Sequence, residues 1–243
     1  MAVFKFSTAL RNLRLGKTLS VTDAGSQISF ENGASTISDT QSRFLDTGFR
    51  PGDTIVVTNA NVGGNNQEYT VTSVASTGAS MVVSPAPSDE AAAAGTPTVA
   101  LNHPGKSLAH AMRYGIIYLY DGTMPDDADS AEGCNILAKI TISSATLTAG
   151  TLTNGLYFDE PSAGVIDKPS GSTWSGVGLY AGTCTWGALY DNAIGTGADT
   201  TYIYPRIFGN AGLSGAAFLI TDLDIAVGIP VTCNQFQLTE GNA

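Results

Sequence analysis

The sequence predicts an all-β protein: a jelly-roll or Greek-key β-sandwich with a small β-sandwich or barrel module and a short N-terminal helix. Three observations carry that expectation. Only 13% of the 243 residues are charged and 28 are glycine; Ser, Thr and Asn take the place of the missing charge, a composition for short strands and tight turns rather than helical bundles. From Val21 onward apolar residues recur at a period of two, and turn residues punctuate them. No helical stretch is long enough to supply the crossovers of a parallel sheet. A chain of this length buries roughly 70–75% of its unfolded surface, so the fold needs neither metal nor disulfide.

Residues 4–15 read as a short helix, with Ser7 or Thr8 as cap, Phe6, Leu10, Leu13 and Leu15 as a loose apolar stripe, and Gly16 as terminator. Residues 27–30 and 34–37 read as a hairpin around Glu31-Asn32-Gly33, because Asn-Gly tolerates the positive φ of hairpin turns. Strands follow at 54–58, 68–74 and 80–84. Residues 59–66 are a Gly- and Asn-rich loop that links strands and opens no helix, so it lacks the dipole of a phosphate site. Residues 85–104 hold four consecutive alanines and four prolines, which a sheet does not accept. They lead out of the module after a last strand at 99–101. A second helix-like piece at 106–112 precedes an apolar strand at 115–120. Further strands are expected at 136–142, 156–158, 176–180, 183–189, 201–208, 216–221 and 231–238. The division is thus residues 1–20 as a docking helix or arm, 21–101 as a small β-module and 102–243 as the main sandwich.

A net charge of −10 repels phosphate backbones and argues against nucleic acid as a partner. The charge is uneven: Lys5, Arg11, Arg14 and Lys17 are four of eleven bases, and no acid precedes Asp23. Phe4, Lys5, Phe6, Leu10, Arg11, Leu13, Arg14 and Lys17 therefore form either an arm that docks on an acidic partner, a second copy included, or a solvated first turn. Bases stand where a secretory hydrophobic core would lie and no apolar run reaches membrane-spanning length, so neither export nor a membrane is expected. Cys134, Cys184 and Cys233 are too far apart in sequence for a zinc ribbon or redox pair. They read as small buried thiols in a chain assembled in a reducing cytoplasm.

Chemistry is sparse. His103 and His110 are separated by Pro104 and Gly105 and do not share a helix face, which leaves Ser or Cys nucleophiles without a base. Asp126, Asp127, Asp129 and Glu132 concentrate acid, either as oxygen ligands for Ca²⁺ or as a turn whose carboxylates cap the next segment. The turn is preferred, no cofactor or metal is expected, and nothing in the pattern selects a glycosidase pair. Trp174, Tyr180, Trp186, Tyr190, Tyr202 and Tyr204 offer stacking faces for glycans, or alternate along strands as core and subunit interface.

Two segments carry a resemblance. Ser7-Thr8-Ala9-Leu10-Arg11-Asn12 resembles an STxLRN opening, and residues 115–129 with Gly133 (GIIYLYDGTMPDDAD…G) resemble the G-x-x-x-IYsGtxPasAD…G element that follows it in virion structural proteins of tailed bacteriophages. In shorter members the two are nearly adjacent. Here roughly ninety residues separate them, so the intervening segment is an insertion, similar to small β-modules of phage head and tail proteins. Residues 182–186, 204–209, 215–220 and 228–239 resemble the closing strands of that type. Asp121 and Cys134 depart from the usual small residue and Ser or Thr.

The resemblance implies a non-enzymatic structural component of a tailed-phage particle, assembled in the bacterial cytoplasm and packed on other capsid, neck or tail subunits. It implies a homo-oligomer placed as capsid decoration or on the neck, collar or tail exterior. A glycan-binding host-recognition module is the rival, and a cell-wall glycosidase comes third.

Overall fold

The computed structural model describes residues 1–239; the last four positions of the expected main domain lie outside the described residues. Two compact units are present. One combines residues Met1–Arg11, Ser107–Thr148 and those from Thr153 onward, and the other Asn12–Lys106 with Ala149–Leu152. The class is all-β with an inserted barrel module and a short N-terminal helix.

The chain opens with a strand, not a helix. β1 (Phe4–Phe6) pairs antiparallel with residues 207–209, and α1 (Thr8–Arg14) begins only after Ser7. Ser7 sets that boundary: its Oγ accepts from Leu10 N at 3.3 Å and its carbonyl from Arg11 N at 3.0 Å, satisfying two donors of the first turn.

In the inserted unit, β2 (Ser20–Thr22), β3 (Ile28–Glu31), β4 (Thr36–Asp39), α2 (Phe44–Thr47), β5 (Thr54–Thr58), β6 (Glu68–Val74), β7 (Ser80–Ser84) and β8 (Thr98–Leu101) follow in turn. The seven strands pair antiparallel in the order β2-β8-β5-β6-β7-β4-β3. The two ends of that path are consecutive in sequence, separated only by residues 23–27, so the sheet must curl until its edges meet. Asp23 fastens the join by accepting from Gly25 N at 2.6 Å and Ile28 N at 3.0 Å. Period-two burial fills the interior with Val21, Ile37, Ile55, Tyr69, Val71, Met81 and Val99. The hairpin differs from expectation: the turn spans residues 32–35 with Ser35, at φ 54°, in the left-handed region, and the second strand begins two positions later. The unit also extends beyond residues 21–101, because Lys106 N donates to Leu13 O at 3.0 Å and Gly105 N to Lys17 O at 3.1 Å. Those bonds join segments outside the strands, where no periodicity announces them. Lys106 Nζ reaches Asp53 Oδ2 at 2.7 Å and Gly48 O at 3.0 Å, a buried cation with its acceptors in place.

The main unit holds α3 (Leu108–Met112), β9 (Ile116–Tyr120), β10 (Ile136–Ile142), β11 (Val165–Asp167), β12 (Trp174–Val177), β13 (Gly182–Thr183), β14 (Trp186–Tyr190), β15 (Arg206–Gly212), β16 (Phe218–Ile220), β17 (Asp224–Ile225) and β18 (Pro230–Thr239). Its large sheet runs β1-β15-β14-β9-β10-β12-β18-β11. β16 pairs parallel with β15 and antiparallel with β18, which joins β15, β14, β9, β10, β12, β18 and β16 in a closed circuit. Closure removes edges from those strands, leaving β1 and β11 as the outer ones.

β9 and β14 are buried along both faces, the physical reason their sequences are continuously apolar. One face packs Tyr118, Tyr120, Trp186, Tyr190 and Phe208 under Ala128, Met124 and Ile194. On the other face Gly209 has no room for a Cβ, which would lie 2.5 Å from that of Ala217 and 3.2 Å from the Phe218 ring. Residues 201–205, expected as strand, form a loop instead: Asp199 draws the Thr201, Ile203 and Tyr204 N–H groups to its carboxylate. Residues 156–158 contribute only a bridge between Leu156 and Gly115. Cys184 and Cys233 are buried and Cys134 is partly exposed; all three are free thiols.

Candidate functional site

The segments that carry the resemblance meet. Thr8 N donates to both oxygens of Asp129 at 3.0 Å and Thr8 Oγ1 to Oδ2 at 2.6 Å. Lys5 Nζ donates to Pro125 O at 2.6 Å. The inserted module is therefore spliced between two stretches that hold each other within one unit.

That union uses up part of the expected arm. Leu10 and Leu13 are buried in this chain and give no apolar area to a neighbour. Phe4 and Phe6 are half-buried in β1, where Phe4 meets the Phe236 ring edge-on at 5.9 Å. The reason is the strand: pairing turns Phe4 toward the unit's own core. Of the arm, Arg11, Arg14, Leu15 and Lys17 are exposed.

The six candidate aromatics do not share a surface. Trp174, Trp186 and Tyr190 are at most 1% exposed. Trp186 stacks on Tyr120, ring centroids 4.3 Å apart and 11° from parallel, and its Nε1 donates to Asp121 O at 3.0 Å. Trp174 packs edge-on against Phe158 at 5.5 Å. Tyr190 donates to Glu132 Oε1 at 2.6 Å and sits 2.8 Å from Tyr120 Oη; burial is the main reason both phenols lie above their ordinary range, reinforced at Tyr190 by Tyr120 and then Glu132, and at Tyr120 by the Glu132 charge against the opposing bond to Tyr190. A buried ring has no face for a sugar, so the glycan platform drawn from these three is corrected to core. Tyr180 and Tyr202 are exposed at 63% and 45%, and Tyr204 is partly covered.

The acids divide similarly. Asp127 accepts from Asp129 N and Ser130 N at 2.9 Å; burial raises its carboxyl, and these bonds outweigh that, holding it below the usual carboxylate value. Asp126 is fully exposed, 4.0 Å from Lys5 Nζ. Glu132 accepts from Gly197 N at 2.8 Å and lies 3.7 Å from buried Arg206. Among the described residues no group of three or more His, Cys, Asp or Glu side chains is arranged to hold a metal ion. His103 is exposed, and His110 on α3 lies 2.8 Å from Arg113 Nη2. In the loop of residues 59–66, buried Asn65 donates to Glu90 Oε2 at 2.9 Å, and Glu90 accepts from Asn61 N at 2.8 Å. That loop is pinned from within.

No protein-family model, curated protein or solved structure matches the chain. Its surfaces are therefore read from their own chemistry.

Several exposed apolar side chains lie where two segments run side by side. Gly178 N donates to Ile229 O at 2.9 Å and Gly228 N to Gly178 O at 2.8 Å, which brings Val177, Leu179 and Tyr180 beside Val227 and Ile229. These five side chains are 43–64% exposed. A contiguous apolar patch on a protein surface is a mark of interaction rather than of scatter. In sequence, residues 176–180 read as strand and residues 228–239 as resembling closing strands, with no surface role for Val227 or Ile229. The available signal was two large apolar residues flanking a turn glycine, where turn chemistry calls for polar ones.

Proposed function

We propose that this chain is a non-enzymatic structural component of a tailed-bacteriophage particle, placed as capsid decoration or on the neck, collar or tail exterior, that acts by packing onto other virion subunits. The observation that carries the reading is the apolar edge of Val177, Leu179, Tyr180, Val227 and Ile229. Side chains of that size standing in water gain by about 25 cal/mol for each Å² a neighbour covers. Few charges need be desolvated in doing so, since only 13% of residues are charged. Two further features support it. The segments resembling phage virion proteins are joined by the Thr8–Asp129 contact, and the exposed bases Arg11, Arg14 and Lys17 steer toward acidic surfaces such as the rest of a second copy.

The test is particle incorporation in a phage-infected host that supplies the remaining virion proteins. The tagged wild-type chain is expected to co-sediment with purified particles, and the double variant Val227→Asp with Ile229→Asp to be depleted at least tenfold while remaining folded. Wild-type chain absent from particles, or the variant incorporated equally well, would overturn the proposal.

A further inference from the structure

A cleft of about 540 Å³ lies in the main unit, between α3 and the loop that precedes β11. Its size falls within the roughly 300–1,000 Å³ of small-ligand sites. His110, Arg113, Tyr114, Tyr157, Asp159 and Glu160 line it. None belongs to the apolar edge or to the exposed bases of the arm.

Two anchors hold its walls. Phe158 turns its ring into the core, 5.5 Å from Trp174 and 5.8 Å from Phe236. Its neighbours Tyr157 and Asp159 line the cleft and are exposed. The loop is tied at both ends, by Tyr114 N to Leu156 O at 2.6 Å and by Asp159 N to Asp167 O at 3.1 Å. The opposite wall is fixed at Tyr114, whose φ of 58° is rare for an aromatic residue, and whose carbonyl accepts from Asn192 Nδ2 at 2.8 Å. A side chain on Gly155 would overlap the Tyr114 carbonyl, which is why the loop passes there as glycine.

We infer that this cleft is a binding site for a neutral saccharide. Three properties point to that ligand class. Exposed Tyr157 offers a ring face for the apolar face of a pyranose, beside half-exposed Tyr114, whose ring carries the Arg113 guanidinium at 5.7 Å. Arg113 brings only donors, the two carboxylates bring only acceptors, and the phenols bring both, the mixture that a ring of hydroxyl groups requires. Arg113 Nη2 lies 2.8 Å from His110 Nε2, which makes that nitrogen the acceptor and fixes the direction of the guanidinium. Mixed charge also selects against other ligands: two carboxylates disfavour phosphate and sialic-acid groups, and the guanidinium disfavours a quaternary amine. A polyhydroxyl ligand without net charge meets neither penalty.

Saturation-transfer NMR on the full chain with lactose, cellobiose and the N-acetylglucosamine dimer tests the assignment, with glucose 6-phosphate and phosphocholine as charged probes. At least one neutral saccharide is expected to receive saturation, and both charged probes to receive none at equal concentration. Tyr157→Ala is expected to weaken that binding about three- to tenfold, Asp159→Asn to weaken it as well, and Tyr202→Ala to leave it unchanged. Tyr157 and Asp159 are exposed, so both variants stay folded, and an amide spectrum verifies it. Saturation of no neutral saccharide, stronger transfer to a charged probe, or binding untouched in both cleft variants would overturn it. Particle incorporation of Tyr157→Ala at the wild-type level keeps this result separate from the structural role.

Discussion

Thr8 Oγ1 donates to Asp129 Oδ2 at 2.6 Å, although 121 positions separate the two residues. The same carboxylate receives the Thr8 N–H through both oxygens at 3.0 Å. One side chain thus fixes the start of α1 and ties the amino terminus to the turn before β10. It also shows that the two sequence segments flanking the inserted barrel hold each other within one unit.

Asp129→Ala removes the acceptor for two donors at once. Loss of a side-chain cap costs about 0.5–2 kcal/mol, so the urea midpoint of the main unit, followed by the fluorescence of Trp174 and Trp186, is expected to fall accordingly. An unchanged midpoint would show that water replaces the carboxylate at no cost.

Acid is expected to loosen the inserted unit through Asp23 and Asp39. For both, burial acts to raise the carboxyl and is outweighed. Backbone N–H bonds from Ile28, Gly25 and Gln27 do so at Asp23; the Arg43 guanidinium, at 2.8 and 2.9 Å, and its backbone N–H do so at Asp39. The folded values therefore lie below the ordinary 3.8. A depressed carboxylate contributes its full stability above the unfolded value and loses it as pH falls through the folded one. Both tryptophans lie in the main unit, so the probe is amide exchange across β2–β8. Protection is expected to hold from pH 7 to about 4 and to fall below that, and Asp39→Asn to flatten the fall. Equal protection at pH 6 and pH 3 would count against it.

The thiols are expected to separate by burial. Desolvation pushes Cys184 and Cys233 up to about 12, which leaves almost no thiolate at pH 8. Cys134 is partly exposed, its Sγ 3.7 Å from Thr123 O. Iodoacetamide on the native protein at pH 8 is expected to label one cysteine, Cys134, and all three in urea. Rapid native labelling at Cys184 or Cys233 would reveal opening of the main unit.

Several expectations failed for one physical reason. The helix read over residues 4–15 starts at Thr8, because Phe4–Phe6 finds open hydrogen-bonding groups on β15, a partner some two hundred residues away. Residues 201–205 carry strand-forming side chains, yet Asp199 captures their N–H groups before a neighbouring strand does. Trp174, Trp186 and Tyr190 look alike in sequence to Tyr180 and Tyr202, and only packing sorts buried from exposed. In each case local pattern states what a residue can do, while distant contacts choose among its options.

Period-two alternation, glycine-bounded turns and the scarcity of charge determined the all-β class and the run of short strands between residues 21 and 101, because those signals act between residues a few positions apart; that this run is an insertion came from the family resemblance. Which strands neighbour one another, the closure of the main sheet through β16, the Thr8–Asp129 tie, the apolar edge at Val227 and Ile229, and the cleft beside Tyr157 were decided by tertiary structure. Each depends on segments far apart in the chain being brought within hydrogen-bonding or van der Waals distance, and no local spacing encodes that.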